Sequence, residues 1–461
     1  MKSNKKDRGQ QSFLMNGLAE MLDPRQPLKK LAEKIPWERF EEGFSGLYSN
    51  TGRPAKPVRL MVGLLLLKQI ENLSDEAVVE RWAQNPYYQY FCGMEQFQWT
   101  LPCDPTDLIY FRKRIGESGA ELIMAVSASM HGDRLEEDEV VVDTTVQEKN
   151  ITFPTDTKLY RKIIERCWKL ADDNDVKLRR RYRKEVKRCL TAQRFRRRPN
   201  QKKVASKAQR KLKTLAGRLI RELKRKLPKE ITQAEKENLA LYQKVLAQKK
   251  PDKNKVYSLH EPDVYCVSKG KEHKKYEFGC KSSIAMTKTH GVIVAAQAHR
   301  ENAYDGHTLP EVLEKAEAVM ECGVKKAIVD RGYRGRQWIG ETEVLIPEKP
   351  KTNQSRWMKT KMRKRFRRRA AIEPLIGHLK SDFGLRRTYL KGQVGDQINL
   401  LLSCAAWNIR KFMRELLFWL QYIQDSLRLH ISTLLKTRQT SGSTLNASSG
   451  REHTFNCALF D

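Results

Sequence analysis

The chain has no cysteine pair spaced as C-x-x-C. Its nine cysteines are scattered and odd in number, which speaks against a disulfide framework and against a zinc ribbon. A reducing cytosol is the simplest compartment for them. None of the nine histidines stands in an H-x-H pair, which argues against a histidine-held metal serving a tyrosine nucleophile. G-x-S-x-G, H-E-x-x-H and a G-K-[ST] phosphate loop are also missing, so no hydrolase elbow, zinc-protease helix or nucleotide loop is expected. Long apolar runs are scarce too. No apolar signal segment follows the basic opening MKSNKKDRGQQ, and the most apolar late stretch, Ile398 to Leu420, holds Arg410, Lys411, Arg414 and Glu415. A membrane span is therefore not expected.

Acid is what two stretches lack most. Lys177 to Lys229 carries 24 Lys and Arg against only Glu185 and Glu222, and Arg356 to Arg369 carries nine and no acid. These two blocks hold 31 of the 34 net positive charges, so the rest of the 461 residues is nearly neutral. Solvated helix faces usually mix signs. Two basic blocks on a neutral body read as a footprint for a polyanion, above all nucleic acid. The length suffices for two or three domains.

Against that scarcity one acid stands out. In Phe366 to Lys380, FRRRAAIEPLIGHLK, Glu373 is surrounded by cations, and no other acid occurs from Lys349 through Ser381. On a continuous helix, offsets of three, seven and fourteen residues from Phe366 fall within an arc of about 60°. They pick out Arg369, Glu373 and Lys380, while Ile372, Leu375 and Leu379 share another face that can pack on a core. A carboxylate able to hold a metal, beside cations able to hold phosphates, suits phosphodiester chemistry. Pro374 lacks an N–H and favours a helix start or kink close by.

The spacing Phe366-(2)-Arg369-(3)-Glu373-(6)-Lys380 resembles the YREK signature of bacterial insertion-sequence DDE transposases, families four and five. Phe366 stands where that family has a tyrosine and cannot hydrogen-bond a phosphate. The resemblance spans roughly residues 20 to 415, and its value depends on two upstream aspartates at strand ends.

Both are found. Glu139 to Val146, EVVVDTTV, reads as a buried strand with Asp143 inside it. An acid among valines is costly unless it is paired or holds a metal. Lys326 to Val329 reads as a short buried strand ending at Asp330, followed by the glycine-punctuated RGYRG. Tyr333 and Trp338 follow, and either could stack on an unpaired base. Tyr265–Val267, Tyr276–Thr287 and Gly291–Gln297 read as successive antiparallel strands, with a further strand over 343–346 and a helix over 307–322.

Before Asp143 the pattern is helical from Leu22 to about Met124, including Val58–Ile70 and a helix capped by Ser74, an arrangement that permits a helix-turn-helix. Residues 158 to 253 read as two or three long basic helices, broken near Pro199. Leu212, Leu215, Leu219 and Leu223 form a thin stripe there, which could also serve self-association. Ser355 to Lys380 and Asn399 to Arg414 return to helix, and Thr437 to Asn456 reads as a disordered tail.

Periodicity alone gives an α/β protein with a large insertion. The resemblance implies an RNase H-like catalytic core over 136–415, a basic helical insertion over 158–255, an all-α DNA-binding domain over 21–125 before it, a flexible start over 1–20, and a C-terminal helix and tail over 416–461. It implies metal-dependent cleavage of DNA at terminal inverted repeats and strand transfer of the 3′-hydroxyl to target DNA. Asp143, Asp330 and Glu373 would be the catalytic residues and would hold Mg²⁺ or Mn²⁺, with two ions expected. DNA contacts are expected from Arg369, Lys380, Phe366, Trp338, Arg194, Arg196, Arg197 and Arg198. The implied partner is double-stranded DNA engaged by a homodimer, in the cytoplasm on the nucleoid. The alternatives are an RNase H-like nuclease without strand transfer, and a non-catalytic nucleic-acid-binding protein.

Overall fold

A computed structural model describes residues 17–49, 51, 54–228, 232–249, 251–268, 275–347 and 354–443. Before the first strand run α1 (Leu18–Met21), α2 (Pro27–Lys34), α3 (Trp37–Ser45), α4 (Val58–Ile70), α5 (Asp75–Gln84), α6 (Pro86–Phe91) and α7 (Pro105–Ser129). Their starts follow from local chemistry. Ser74 Oγ accepts the Ala77 N–H at 3.1 Å, Asn85 caps a helix that opens on Pro86, and Asp104 and Asp107 form a capping box on α7. The α4 sequence reads as one apolar run because nearly the whole helix is buried. Residues 1–16 lie outside the described residues. The rest of the expected flexible start is ordered: Leu18–Met21 is helical and Leu18 is buried.

One mixed sheet follows. Its strands are β1 (Glu139–Lys149), β2 (Tyr265–Ser268), β3 (Tyr276–Thr287), β4 (Ile293–His299), β5 (Lys326–Ile328), β6 (Trp338–Ile339), β7 (Thr342–Leu345) and β8 (Arg387–Thr388). β3 takes β1 antiparallel, and also pairs antiparallel with β2 and β4. β5 pairs parallel to β1, β7 parallel to β5, and β6 antiparallel to β7. β8 runs parallel to the last residues of β1. β6 and β8 were not anticipated from the sequence; at two residues each they are too short to carry a pattern.

Strand alternation sorts β1 between two layers. Val141 joins a core built with α4, α7, α14 (Ile372–Ser381) and α15 (Gly392–Ser443), together with Ile284, Ile293 and Ile328. Val140 and Val142 join the other face with Leu309, Val312 and Leu313 of α12 (Asp305–Glu317). The N-terminal helices therefore share a core with the sheet. α15 runs to Ser443, past the point where a disordered tail was expected to begin. Residues 444–461 of that tail lie outside the described residues.

Between β1 and β2 lie α8 (Asp156–Asp173), α9 (Arg183–Arg194), α10 (Gln201–Lys226) and α11 (Gln233–Ala247). They pack around a core of their own. Leu212, Leu215, Leu219 and Leu223 are buried there with Ile163, Ile164, Cys167 and Val245. The leucine stripe is thus used within the chain and is not a face for self-association. Among the described residues no helix is long and apolar enough to cross a membrane.

Candidate active site

The parallel pairing of β1 with β5 sets Val141 opposite Ile328. Asp143 and Asp330 each lie two residues beyond that pair, so the register brings them side by side where β5 ends. Carboxyl ends of parallel strands are the usual place for ligands in such sheets. Asp143 accepts the N–H of Thr144 at 2.7 Å. Asp330 caps the turn Arg331–Tyr333 by accepting the Gly332 N–H at 2.7 Å. Phe366 to Lys380 forms two helices, α13 (Arg356–Arg369) and α14, broken at Ala370–Ala371, in keeping with the helix start or kink expected close to Pro374. Pro374 explains the break: without an N–H it cannot bond to Ala370, so α14 restarts around it. Glu373 falls in the first turn of α14, where the helix dipole favours an acid. Ile372, Leu375 and Leu379 are buried.

Arg369 ends α13 among the three acids. Its guanidinium lies 3.6 Å from Asp143, 4.0 Å from Asp330 and 3.7 Å from Glu373. These contacts are too long for hydrogen bonds and act through charge. The acids grade from enclosed to open, with side chains 15%, 37% and 64% exposed. The Nε of Arg369 is buried without a partner. Among the described residues no three His, Cys, Asp or Glu side chains are drawn close enough to hold a metal; the arginine stands between them. The donors are nonetheless the right kind, since they are all carboxylate oxygens with access to water. They fit Mg²⁺ or Mn²⁺, which retain several waters and need few carboxylates.

The remaining expected residues are placed as follows. Phe366, on α13, is half-buried and packs on the core. Lys380 is half-buried on α14. Trp338 is 60% exposed at the β6–β7 hairpin. Tyr333, considered alongside it for base stacking, is 2% exposed and cannot offer a ring face to a base. Arg194, Arg196, Arg197 and Arg198 are exposed where α9 turns into α10.

Two residues at the site, Asp305 and Lys281, carried no distinguishing sequence signal, and a third, Tyr333, was considered only for base stacking. Asp305 reads as a loop acid, yet it accepts the Thr144 hydroxyl at 3.0 Å and lies 2.5 Å from Lys281 Nζ. The Tyr333 phenol sits near Asp143, Asp305 and Asp330; burial first, then these charges, push its pKa well above the ordinary value. The alternation of charge in β3 gave no reason to single out Lys281, because its partner lies in another element.

Two family models match the chain: a transposase domain (DUF772) over residues 17–114 and a transposase DDE domain over residues 247–409. The second covers Asp330 and Glu373 but begins after Asp143, which reaches the site through the β1–β5 pairing. An uncharacterized protein, ORF8 in the nfe locus of Rhizobium meliloti, is 43% identical over 194 residues, which is 41% of this chain and 94% of that protein. No solved structure matches the chain significantly. The DDE-domain match implies an RNase H-like core. With transposase models matching both its N-terminal helices and its sheet, the chain belongs to the DDE transposases of insertion elements.

Proposed function

We propose that the chain cuts DNA at the ends of its element and joins the freed 3′-hydroxyl to target DNA, with Asp143, Asp330 and Glu373 as the catalytic carboxylates. The observation that carries this reading is the gathering of these three acids, from positions 187 and 43 residues apart in the chain, around one guanidinium. Such a group of carboxylates repels itself unless cations are present.

Divalent cations, when bound by these acids, supply an activated water and offset charge on the attacking and leaving oxygens. The chain's own residues do the rest. Asp143 and Asp330 are held by backbone N–H groups, so their oxygens are fixed before substrate arrives. Glu373, open to water, faces the duplex. Arg369 and Lys380 hold phosphates beside it, in the manner of the YREK signature. In the first reaction a water oxygen bonds to phosphorus and the P–O3′ bond breaks, leaving a 3′-hydroxyl and a 5′-phosphate. In the second that 3′-hydroxyl attacks a target phosphorus and displaces another 3′-oxygen.

The helical block of α8–α11 is proposed as a basic insertion that lies along phosphates, and the N-terminal helices as the DNA-reading domain of a homodimer acting on paired ends. The test is direct. Asp143→Asn, Asp330→Asn and Glu373→Gln should each abolish Mg²⁺-dependent cleavage while DNA binding in EDTA persists. Strong cleavage by Asp143→Asn would end this reading and leave an unrelated nuclease, and no cleavage by the wild type with Mg²⁺ would leave a non-catalytic binding role.

A further inference from the structure

We infer that Asp305 is a fourth carboxylate of this centre, sharing a divalent cation with Asp330; this rests on the reading of Asp143, Asp330 and Glu373 as a metal centre. Asp305 opens α12 and is held on one side only. Its Oδ1 accepts the Thr144 hydroxyl at 3.0 Å and lies 2.5 Å from Lys281 Nζ. Lys281 is fixed in turn by donating to the Ala303 carbonyl at 2.7 Å. Groups from β1 and β3 thus lock the side chain.

The other oxygen, Oδ2, faces Gly332. A methyl group built on Gly332 would stand 3.1 Å from Asp305 Oδ2 and 2.9 Å from Asp330 Oδ1. Two carboxylate oxygens from different elements therefore converge over a residue with no side chain. Any other residue would fill that space. The buried Tyr333 phenol, only 2% exposed, is close enough to feel the charges of Asp143, Asp305 and Asp330. Thr144, which donates its hydroxyl to Asp305, is near, but the Tyr333 hydroxyl does not meet it at bonding geometry.

An ion pair with Lys281 and a place in the first turn of α12 account for Oδ1. They do not account for Oδ2, for the glycine cradle or for the unpartnered buried hydroxyl. All three suit a small hydrated dication. Mg²⁺ and Mn²⁺ accept one or two carboxylates and keep waters that a buried hydroxyl can meet.

The test is Mn²⁺ binding to the full DNA-free chain, followed by electron paramagnetic resonance and calorimetry, with thermal unfolding in EDTA alongside. Asp305→Asn keeps an oxygen for Thr144 and Lys281 and removes the charge. It should weaken Mn²⁺ at least tenfold with unfolding in EDTA unchanged. Gly332→Ala leaves the Lys281 pair untouched and should weaken Mn²⁺ by filling the cradle. If both variants bind Mn²⁺ as the wild type does while Asp143→Asn and Asp330→Asn lose it, Asp305 is a structural ion-pair partner and the inference falls, with the three-acid centre intact. Lowered stability of Asp305→Asn with unchanged Mn²⁺ affinity has the same meaning. If Asp143→Asn and Asp330→Asn also bind normally, the three-acid reading itself fails.

Discussion

Replacing Arg369 with Gln should make the DNA-free protein bind divalent cations more tightly, although it removes a residue expected to contact DNA. Gln keeps most of the length and loses the charge. No hydrogen bond to the acids is lost, because the three contacts are 3.6, 4.0 and 3.7 Å long. At an effective dielectric constant near 20, a unit-charge pair at about 4 Å interacts by roughly 4 kcal/mol. Solvent reduces this. Glu373 is 64% exposed, so its contact adds little, and the half-screened contacts to Asp143 and Asp330 are each discounted to about 1–2 kcal/mol. A cation entering between the acids has to give up or oppose about 3 kcal/mol of arginine attraction, on the order of 100-fold in Kd. Mn²⁺ titration of wild type and Arg369→Gln measures this directly. Added duplex should tighten Mn²⁺ binding by the wild type, because phosphates draw Arg369 away, and do little for the variant. By reciprocity Mn²⁺ should then tighten DNA binding by the same factor. Equal or weaker Mn²⁺ binding by Arg369→Gln would refute the idea that this arginine balances the acids until DNA arrives.

Other outcomes follow from separate features. Replacing Arg194, Arg196, Arg197 and Arg198 with Ala should flatten the salt dependence of DNA binding, since each phosphate neutralised contributes about −0.9 to the log–log slope; an unchanged slope would remove the α9–α10 turn from the interface. Trp338→Ala should slow cleavage of duplex ends more than of pre-nicked or mispaired ends, whereas equal slowing would assign the exposed indole to hairpin packing. Burial lowers the pKa of His131 and of His299 from 6.5 to about 4 despite nearby Glu415 and Glu311. Because the folded state prefers both neutral, their contribution to stability is full above about pH 6.5 and is lost as pH falls toward 4. Denaturant midpoints should drop across that window, and less so in a His131→Gln, His299→Gln double variant.

The primary sequence by itself determined the elements and most of the candidate site. Valine runs, caps at Ser74 and Asp104, and the leucine stripe of α10 are local signals, and local signals survive in one dimension. The acids Asp143, Asp330 and Glu373 were legible because each breaks its surroundings: an acid among valines, an acid before a glycine turn, an acid in a cationic stretch. What only the tertiary structure decided is which groups meet. The β1–β5 register sets Asp143 beside Asp330 across a separation that includes the whole α8–α11 block. Arg369 is picked out by its spacing as a phosphate contact, but that it reaches all three acids follows only from where α13 ends. Asp305 looks like an ordinary loop acid until Lys281, Thr144 and Gly332 surround it. Phe366 and Tyr333 offer aromatic rings that a sequence can assign equally to DNA or to the core, and folding placed Phe366 half-buried against the core and Tyr333 wholly inside it. Pattern sets a residue's secondary structure through neighbours a few positions away, whereas charge balance and burial at a site depend on groups hundreds of positions apart, and these come together only when the chain folds.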